Sequence, residues 1–445
     1  MKRDNFGSSF GVLVAMAGSA VGLGNLWRFP YLVGTNGGAA FIIIYLIIVF
    51  VLALPIMYSE FVIGRRAQSN AYGAFKKLAP NSKWSIIGVI SIICCVIVLS
   101  FYGVVGGWTI DYMIKAITLQ FSSDTSALGG LFEETVTSSW QPLLFMVIFI
   151  GLSGLVLLAG VKEGIERYSK ILMPLLFLMV IVIAIRSVTL PDAKGGIDFL
   201  FKPDFSKVTS QTFLDALGQA FFSLSVGFGI VFTYASYVKK EENIIKMSAQ
   251  TAIADTLFAI IAGVAIMPAV FSFGISPGQG PGLVFVTLPY VFAQIPLGSV
   301  LAVLFFFVLF IAAITSSISL LEVVVAYVIE EFGFTRRNAV ISSIAVVLFL
   351  GTFCSLSQGV LANVKILSNN IFDLFDKTSA NILMPLGALL IVLFAGWKMK
   401  KEDFIDEITS GGMHKISPLY LKIIEISVKY IAPIVIATIM IRQLI

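Results

Sequence analysis

Apolar runs long enough to cross a bilayer recur from one end of this chain to the other. A membrane-spanning helix needs about 20 mostly apolar residues. By that rule the sequence reads as about 11 spans, at 8–32, 39–63, 86–115, 141–159, 166–186, 213–237, 244–273, 296–329, 338–354, 372–397 and 419–441. Of the 445 residues, 58% are hydrophobic and 12% charged, whereas an ordinary soluble domain is about 25% charged. A water-soluble globule could not hide that much apolar surface. The expected fold is an all-α polytopic membrane protein forming one transmembrane domain. Soluble enzymes and nucleic-acid binders are excluded by the same argument, and a net charge of +5 is too small to mark a polyanion partner. Lys2-Arg3 before the first apolar run resemble the start of a signal peptide. The run continues through Asn25 and Arg28 and further spans follow, so cleavage is the less favoured reading.

The residues that could carry enzyme chemistry are scarce. The cysteines are Cys94, Cys95 and Cys354, with no CxxC pair, and His414 is the single histidine. There is no zinc or disulfide framework and no GxxxxGK[ST] phosphate loop. Lys and Arg in the short loops favour the side that holds the N-terminus by about three to one. That places the N-terminus in the cytoplasm and, after an odd number of spans, the C-terminus outside.

Two spans carry the same interruption. Span one reads Ser19-Ala20-Val21-Gly22-Leu23-Gly24-Asn25 and span six reads Ser223-Leu224-Ser225-Val226-Gly227-Phe228-Gly229. Each opens a block of five spans, 8–186 and 213–397, with 419–441 as an additional span. Because five is odd, the second block enters the membrane from the opposite side, which gives a 5+5 inverted repeat with helices 1 and 6 broken. Glycine-interrupted segments at matching places in two halves point to a transporter site at the midplane. Freed backbone groups are tolerated at that depth only where they line a cavity or hold something. Close packing through small residues is the competing reading; two matched motifs beside polar residues favour the site.

Several polar residues stand in apolar surroundings. Asp255 lies about 11 residues into span seven, about 16 Å deep, where a carboxylate is costly unless it is paired. It is either a working group or a protonated structural one. Ala312, Thr315 and Ser316 share one helix face in span eight and offer the all-oxygen surroundings that hard cations prefer, although such hydroxyls often bond back to their own helix. Arg28 and Asp376 form an expected pair at the outer end, and Arg3 with Glu330 an expected pair inside; solvated interface charges are the alternative for both. Glu60 is placed to bond N–H groups freed by the span-six break, whereas Glu322 has no evident partner. Tyr102 in span three has a hydroxyl suited to a carboxylate.

The run from Gly18 to Tyr31, GSAVGLGNLWRFPY, resembles the signature of neurotransmitter:sodium symporters. Asn36-Gly37-Gly38, Gly164-Ile165-Glu166-Arg167, Phe221 to Val238 and Thr315-Ser316-Ser317 match as well. The likeness covers essentially the whole chain. It is greatest to bacterial members that carry leucine and other hydrophobic amino acids, and to a bacterial subgroup with eleven spans rather than the usual twelve.

The resemblance implies sodium-coupled import of a neutral, hydrophobic L-amino acid by alternating access across the bacterial inner (plasma) membrane. It implies two Na+ ions. The first would be held by the Ala20 carbonyl, Asn25, Ser223, Asp255 and the substrate carboxylate. The second would be held by the Gly18, Val21 and Ala312 carbonyls with Thr315 and Ser316. The substrate carboxylate would meet Leu23, Gly24 and Tyr102, and its ammonium would face Ala20, Phe222, Ser223 and Ser225. Val98, Phe222, Phe228 and Leu320 would wall the side-chain pocket, beside Gly22 and Ser316. Where monoamine carriers have an aspartate this chain has Gly22, which suits an α-carboxylate substrate. Gly164 and Pro174 resemble the family's Gly-x9-Pro pattern, where unwinding lets water reach the second sodium. Asp255 stands where many relatives have asparagine, so transport is expected to be independent of chloride. The implied partners are the amino acid and the lipid bilayer, with no nucleic acid and no obligate protein partner. A channel, a non-transporting sensor and an intramembrane enzyme are rival classes; they lack, respectively, a charged ring, a signalling domain and a nucleophile–base pair.

Overall fold

A computed structural model describes residues 5–274 and 283–444. Among these the chain is helical, with no β-strand. Among the described residues nine continuous helices are long and apolar enough to cross a membrane: Ala39–Ala67, Lys83–Ile117, Gln141–Leu158, Val161–Val188, Ile244–Ser272, Gly298–Phe332, Arg336–Leu356, Ile371–Lys398 and Pro418–Ile441. They occupy the places read as spans two to five and seven to eleven. Span five starts earlier than the apolar run suggested, at Val161, because the polar stretch around Glu163 and Glu166 is itself helical.

Spans one and six are the interrupted ones. Span one consists of Ser9–Ala20 and Gly24–Thr35, bent by 48°. Its first helix is capped by Ser8, whose hydroxyl accepts from the Gly11 N–H at 3.0 Å, and ends where Val21 turns to an extended ψ of 95°. Span six consists of Ser210–Ser223 and Ile230–Ala235. The residues between them include Gly227 at φ 92° and Gly229 at φ 88°, a conformation that costs glycine little and other residues more. Ser225 shares the left-handed region at φ 56° and is held there by side-chain contacts described below.

Span three packs along span eight over most of its length, and spans four and nine close the same side of the bundle. The first helix of span one lies against spans five, seven and eight, while both halves of span six lie against span two. The two breaks therefore meet in the interior, between a bundle of spans one, two, six and seven and the remaining helices.

Ion pairs fix which loops share a face. The short helix Lys401–Ile408, between spans ten and eleven, sends Glu407 to Arg65 Nε at 2.5 Å, Asp403 to Arg66 at 2.6 Å and Asp406 to Lys240 at 2.8 Å. Arg65 also donates to the Glu407 carbonyl. The loops after spans two, six and ten thus lie together, as the odd–even count of crossings requires. The hydrogen bond from Lys240 holds the Asp406 carboxyl below the usual carboxylate range. The Asp406–Lys240 pair therefore contributes its stability above that range and loses it as pH falls through the lowered value. On the opposite face, Asn36 Nδ2 donates to Asp215 Oδ2 at 3.0 Å and ties the exit of span one to the entry of span six.

Candidate functional site

Where the first break faces spans six and seven, Asp255 is fully buried and surrounded by donors. Asn25 Nδ2 donates to Asp255 Oδ1 at 2.8 Å. The Ser223 hydroxyl lies 2.9 and 2.8 Å from the two carboxylate oxygens, and the Tyr45 hydroxyl donates to Oδ2 at 3.3 Å. Three of the residues expected around the first sodium therefore stand within hydrogen-bond reach of one another. Asn25 Oδ1 accepts from the Gly22 N–H at 3.1 Å, so the same side chain braces the broken backbone. The fourth, Ala20, ends the first helix of span one, on the other side of the break.

The second group lies on span eight against the helix before the break. The Thr315 hydroxyl donates to the Ala312 carbonyl at 3.1 Å. That of Ser316 reaches the same carbonyl at 3.3 Å, Gly18 O at 3.5 Å and Ser19 O at 3.0 Å. Gly18, Ala312, Thr315 and Ser316 thus converge, and Val21 sits at the adjoining helix end. In this arrangement hydroxyl protons point into carbonyl oxygens. Turning those O–H groups outward leaves a cluster of oxygen lone pairs, the donor set an alkali cation takes. Among the described residues no three His, Cys, Asp or Glu side chains gather as a transition-metal site would need.

Between the two groups lies a cavity lined by Ala20, Gly22, Leu23, Gly24, Val98, Tyr102, Phe222, Ser225, Phe228, Ser316 and Leu320, together with Ser19 and Ile230. All of the residues expected to contact substrate are in this lining except Ser223, which is turned toward Asp255. The Ser225 hydroxyl donates to Ser19 O at 3.1 Å across the two breaks. The Tyr102 hydroxyl accepts from the Leu23 N–H at 3.4 Å. The cavity measures about 20 Å³, room for about one water, so an amino acid enters only as the walls part. Phe222 is the lining aromatic that is only partly buried.

The expected outer gate is less direct than its charges suggested. Arg28 and Asp376 are within electrostatic reach of each other, yet no ion pair within 4.0 Å joins them. Instead the Arg28 guanidinium lies 5.5 Å from the centre of the Phe222 ring. A cation over an aromatic face is attracted by the ring quadrupole, so Arg28 holds down the wall of the cavity. Arg3 lies outside the described residues. Glu330 accepts from Ser69 Oγ at 3.1 Å and from the backbone and side chain of Asn70 at 2.8 and 3.0 Å, at the start of the helix Ala71–Leu78.

Three side chains are not singled out by the sequence, two near the first break and one beside Glu322. Tyr45 is one aromatic in an apolar run. Gln219 donates to the Gly24 carbonyl at 3.0 Å, and its position four residues before Ser223, on the same helix face, was the available signal. Arg336, at the start of span nine, pairs with Glu322 at 2.8 Å; Glu322 also accepts from the Tyr237 hydroxyl at 2.8 Å. Glu322 therefore has an ionic partner.

Glu60 accepts from the Gly227 N–H at 2.7 Å, filling the role anticipated for it. Glu60→Ala leaves that buried donor without its partner, a loss of about 1–3 kcal/mol, whereas Glu60→Gln keeps an acceptor. Thermal unfolding of the detergent-purified protein is expected to show a lowered midpoint for the alanine variant and a near-normal one for glutamine.

The family model described as the Sodium:neurotransmitter symporter family matches residues 3–127 and 125–445. The uncharacterized sodium-dependent transporter YhdH of Bacillus subtilis (strain 168) is 41% identical over 411 residues, covering 92% of this chain and 91% of the relative. An uncharacterized sodium-dependent transporter of Haemophilus influenzae is 38% identical over 455 residues, covering 100% of this chain and 98% of its own length. Among solved structures, that of MhsT in complex with L-phenylalanine superposes with a TM-score of 0.92 at 43% identity, covering 99% of both chains.

Proposed function

Because the chain belongs to the sodium:neurotransmitter symporter family, we propose that this sodium-coupled membrane transporter imports a neutral, hydrophobic L-amino acid with two Na+ ions and without chloride. The carrying observation is the Asn25–Ser223–Asp255 cluster beside a small, mostly apolar cavity that opens onto both helix breaks. An α-amino acid presents one carboxylate and one ammonium. The carboxylate pairs with the amides of Leu23 and Gly24, with the Tyr102 hydroxyl and with the first sodium. The ammonium faces the Ala20, Phe222 and Ser223 carbonyls and the Ser225 hydroxyl. Val98, Phe222, Phe228 and Leu320 then take an apolar side chain, in keeping with the L-phenylalanine bound by the structural relative.

Charge balance supports independence from chloride. A zwitterionic amino acid adds no net charge, so the Asp255 carboxylate cancels one of the two sodium charges, the share a chloride would otherwise supply. The second sodium takes the neutral oxygens of Gly18, Val21, Ala312, Thr315 and Ser316. With the N-terminus in the cytoplasm of a bacterial cell, Arg28 closes toward Asp376 over Phe222 once the site is filled, and Arg3 parts from Glu330 on the inner side. Each inward Na+ contributes about 2.3 kcal/mol per 100 mV of membrane potential. The protein does this as a single chain in the bilayer, with no obligate protein partner.

Uptake of radiolabelled amino acids into proteoliposomes tests the reading. An inward sodium gradient is expected to drive accumulation of phenylalanine or leucine equally well in chloride and in gluconate. Binding without accumulation, or accumulation that requires chloride, would overturn it.

A further inference from the structure

A second, larger cavity lies away from the transport site, where spans ten and eleven and the helix Lys401–Ile408 meet. It measures about 480 Å³. Its floor is apolar, with Phe404, Leu421 and Val428 among its residues, and its rim carries Lys401, Lys422 and Lys429 against one acid, Glu425. Lys401 and Lys429 share that acid, at 2.6 and 3.1 Å. Lys422 has no carboxylate within 4.0 Å among the described residues. The rim is thus three ammonium groups to one carboxylate.

Its level in the membrane is marked by Trp397, whose indole N–H donates to the Lys429 carbonyl at 3.0 Å and whose ring meets Tyr430 edge-on at 5.6 Å. Trp397 is 61% exposed. Tryptophan and tyrosine collect at the level of lipid headgroups. We propose that this cavity binds an anionic glycerophospholipid, its phosphate among Lys401, Lys422 and Lys429 and its acyl chains over the apolar floor. Basic pockets between spans on one side of a membrane recognise such headgroups. A free phosphate satisfies the rim but gains nothing from the floor, and a zwitterionic lipid brings its own cation to the lysines. The site also touches the clasp. Lys401 begins the helix whose last turn carries Glu407 to Arg65, so a lipid seated here steadies the contact between the loops after spans two and ten.

The test uses the full-length, delipidated protein in detergent, with phosphatidylglycerol and phosphatidylcholine of matched acyl chains as probes. Retained lipid is counted by native mass spectrometry and stability is followed by thermal unfolding. Phosphatidylglycerol is expected to be retained preferentially and to raise the unfolding midpoint. Combined Lys401→Gln, Lys422→Gln and Lys429→Gln should weaken its binding roughly 100-fold, since three positive charges are removed from the site, while leaving phosphatidylcholine unaffected. Glu425→Gln frees two lysines and is expected to strengthen binding about fivefold, a gain that simple structural damage cannot produce. Equal retention of the two lipids, or an unchanged preference in the Glu425→Gln protein, would overturn the proposal. So would inorganic phosphate matching the stabilisation given by the lipid. None of these readouts depends on which amino acid is carried.

Discussion

Asp255→Asn is expected to raise the sodium concentration needed for half-maximal uptake about 100-fold in chloride-free buffer. The substitution keeps the shape of the side chain and removes its charge. In the native protein that charge is met by Asn25, Ser223 and Tyr45, all neutral, so nothing else in contact with it supplies a negative charge to a cation. Truncating one partner of a buried charge pair costs about 2–5 kcal/mol, and a loss of about 2.8 kcal/mol, in the lower half of that range, is a factor of about 100. An isosteric variant that folds normally should also regain part of its activity when chloride is added. Sodium-dependent uptake in proteoliposomes, measured in gluconate and in chloride, separates the outcomes. Normal transport by the asparagine variant without chloride would remove Asp255 from the first sodium site.

The second large effect concerns a position with no side chain. A Cβ built on Gly22 would collide with the Ser316 hydroxyl and lie 3.1 Å from the Tyr102 hydroxyl. Gly22→Val therefore fills the space where the substrate carboxylate is proposed to meet the broken backbone, and it presses on the hydroxyl that closes onto Gly18 and Ser19. Substrate binding is expected to fall more than about 100-fold, since overpacking alone costs about 1–3 kcal/mol and the lost carboxylate contacts add to it. Equilibrium binding of radiolabelled substrate to the purified variant is the measurement. Retained affinity would place the carboxylate elsewhere in the cavity.

Much of this arrangement was legible in the sequence because the membrane restricts what an apolar helix can contain. A glycine pair or a carboxylate in such a run has few reasons to be there, so the two breaks, Asp255 and Glu60 stood out. The spans themselves followed from length and apolarity, except where polar stretches such as Val161–Glu166 continue as helix. The partners were harder to read. Tyr45 and Arg336 come to Asp255 and Glu322 through folding, and nothing in the sequence sets either apart from the chain's other tyrosines and arginines. The Arg28–Asp376 expectation weighed charge alone and passed over Phe222, whose ring occupies the space beside the guanidinium. A sequence shows which charges are present, but an aromatic ring packed against one of them appears only in three dimensions.

Span eight, Gly298–Phe332, is one uninterrupted helix of 35 residues. Thr315 and Ser316 lie at its middle, Leu320 beside the cavity, Glu322 two residues further and Glu330 near its end. From Thr315 to Glu330 the rise is about 22 Å, with no glycine or proline along it at which to bend. The oxygens of Thr315 and Ser316 and the acids of the far face are therefore marks on a single ruler. They keep a fixed spacing and a fixed angular phase, so a tilt or rotation at one level is transmitted undiminished to the other.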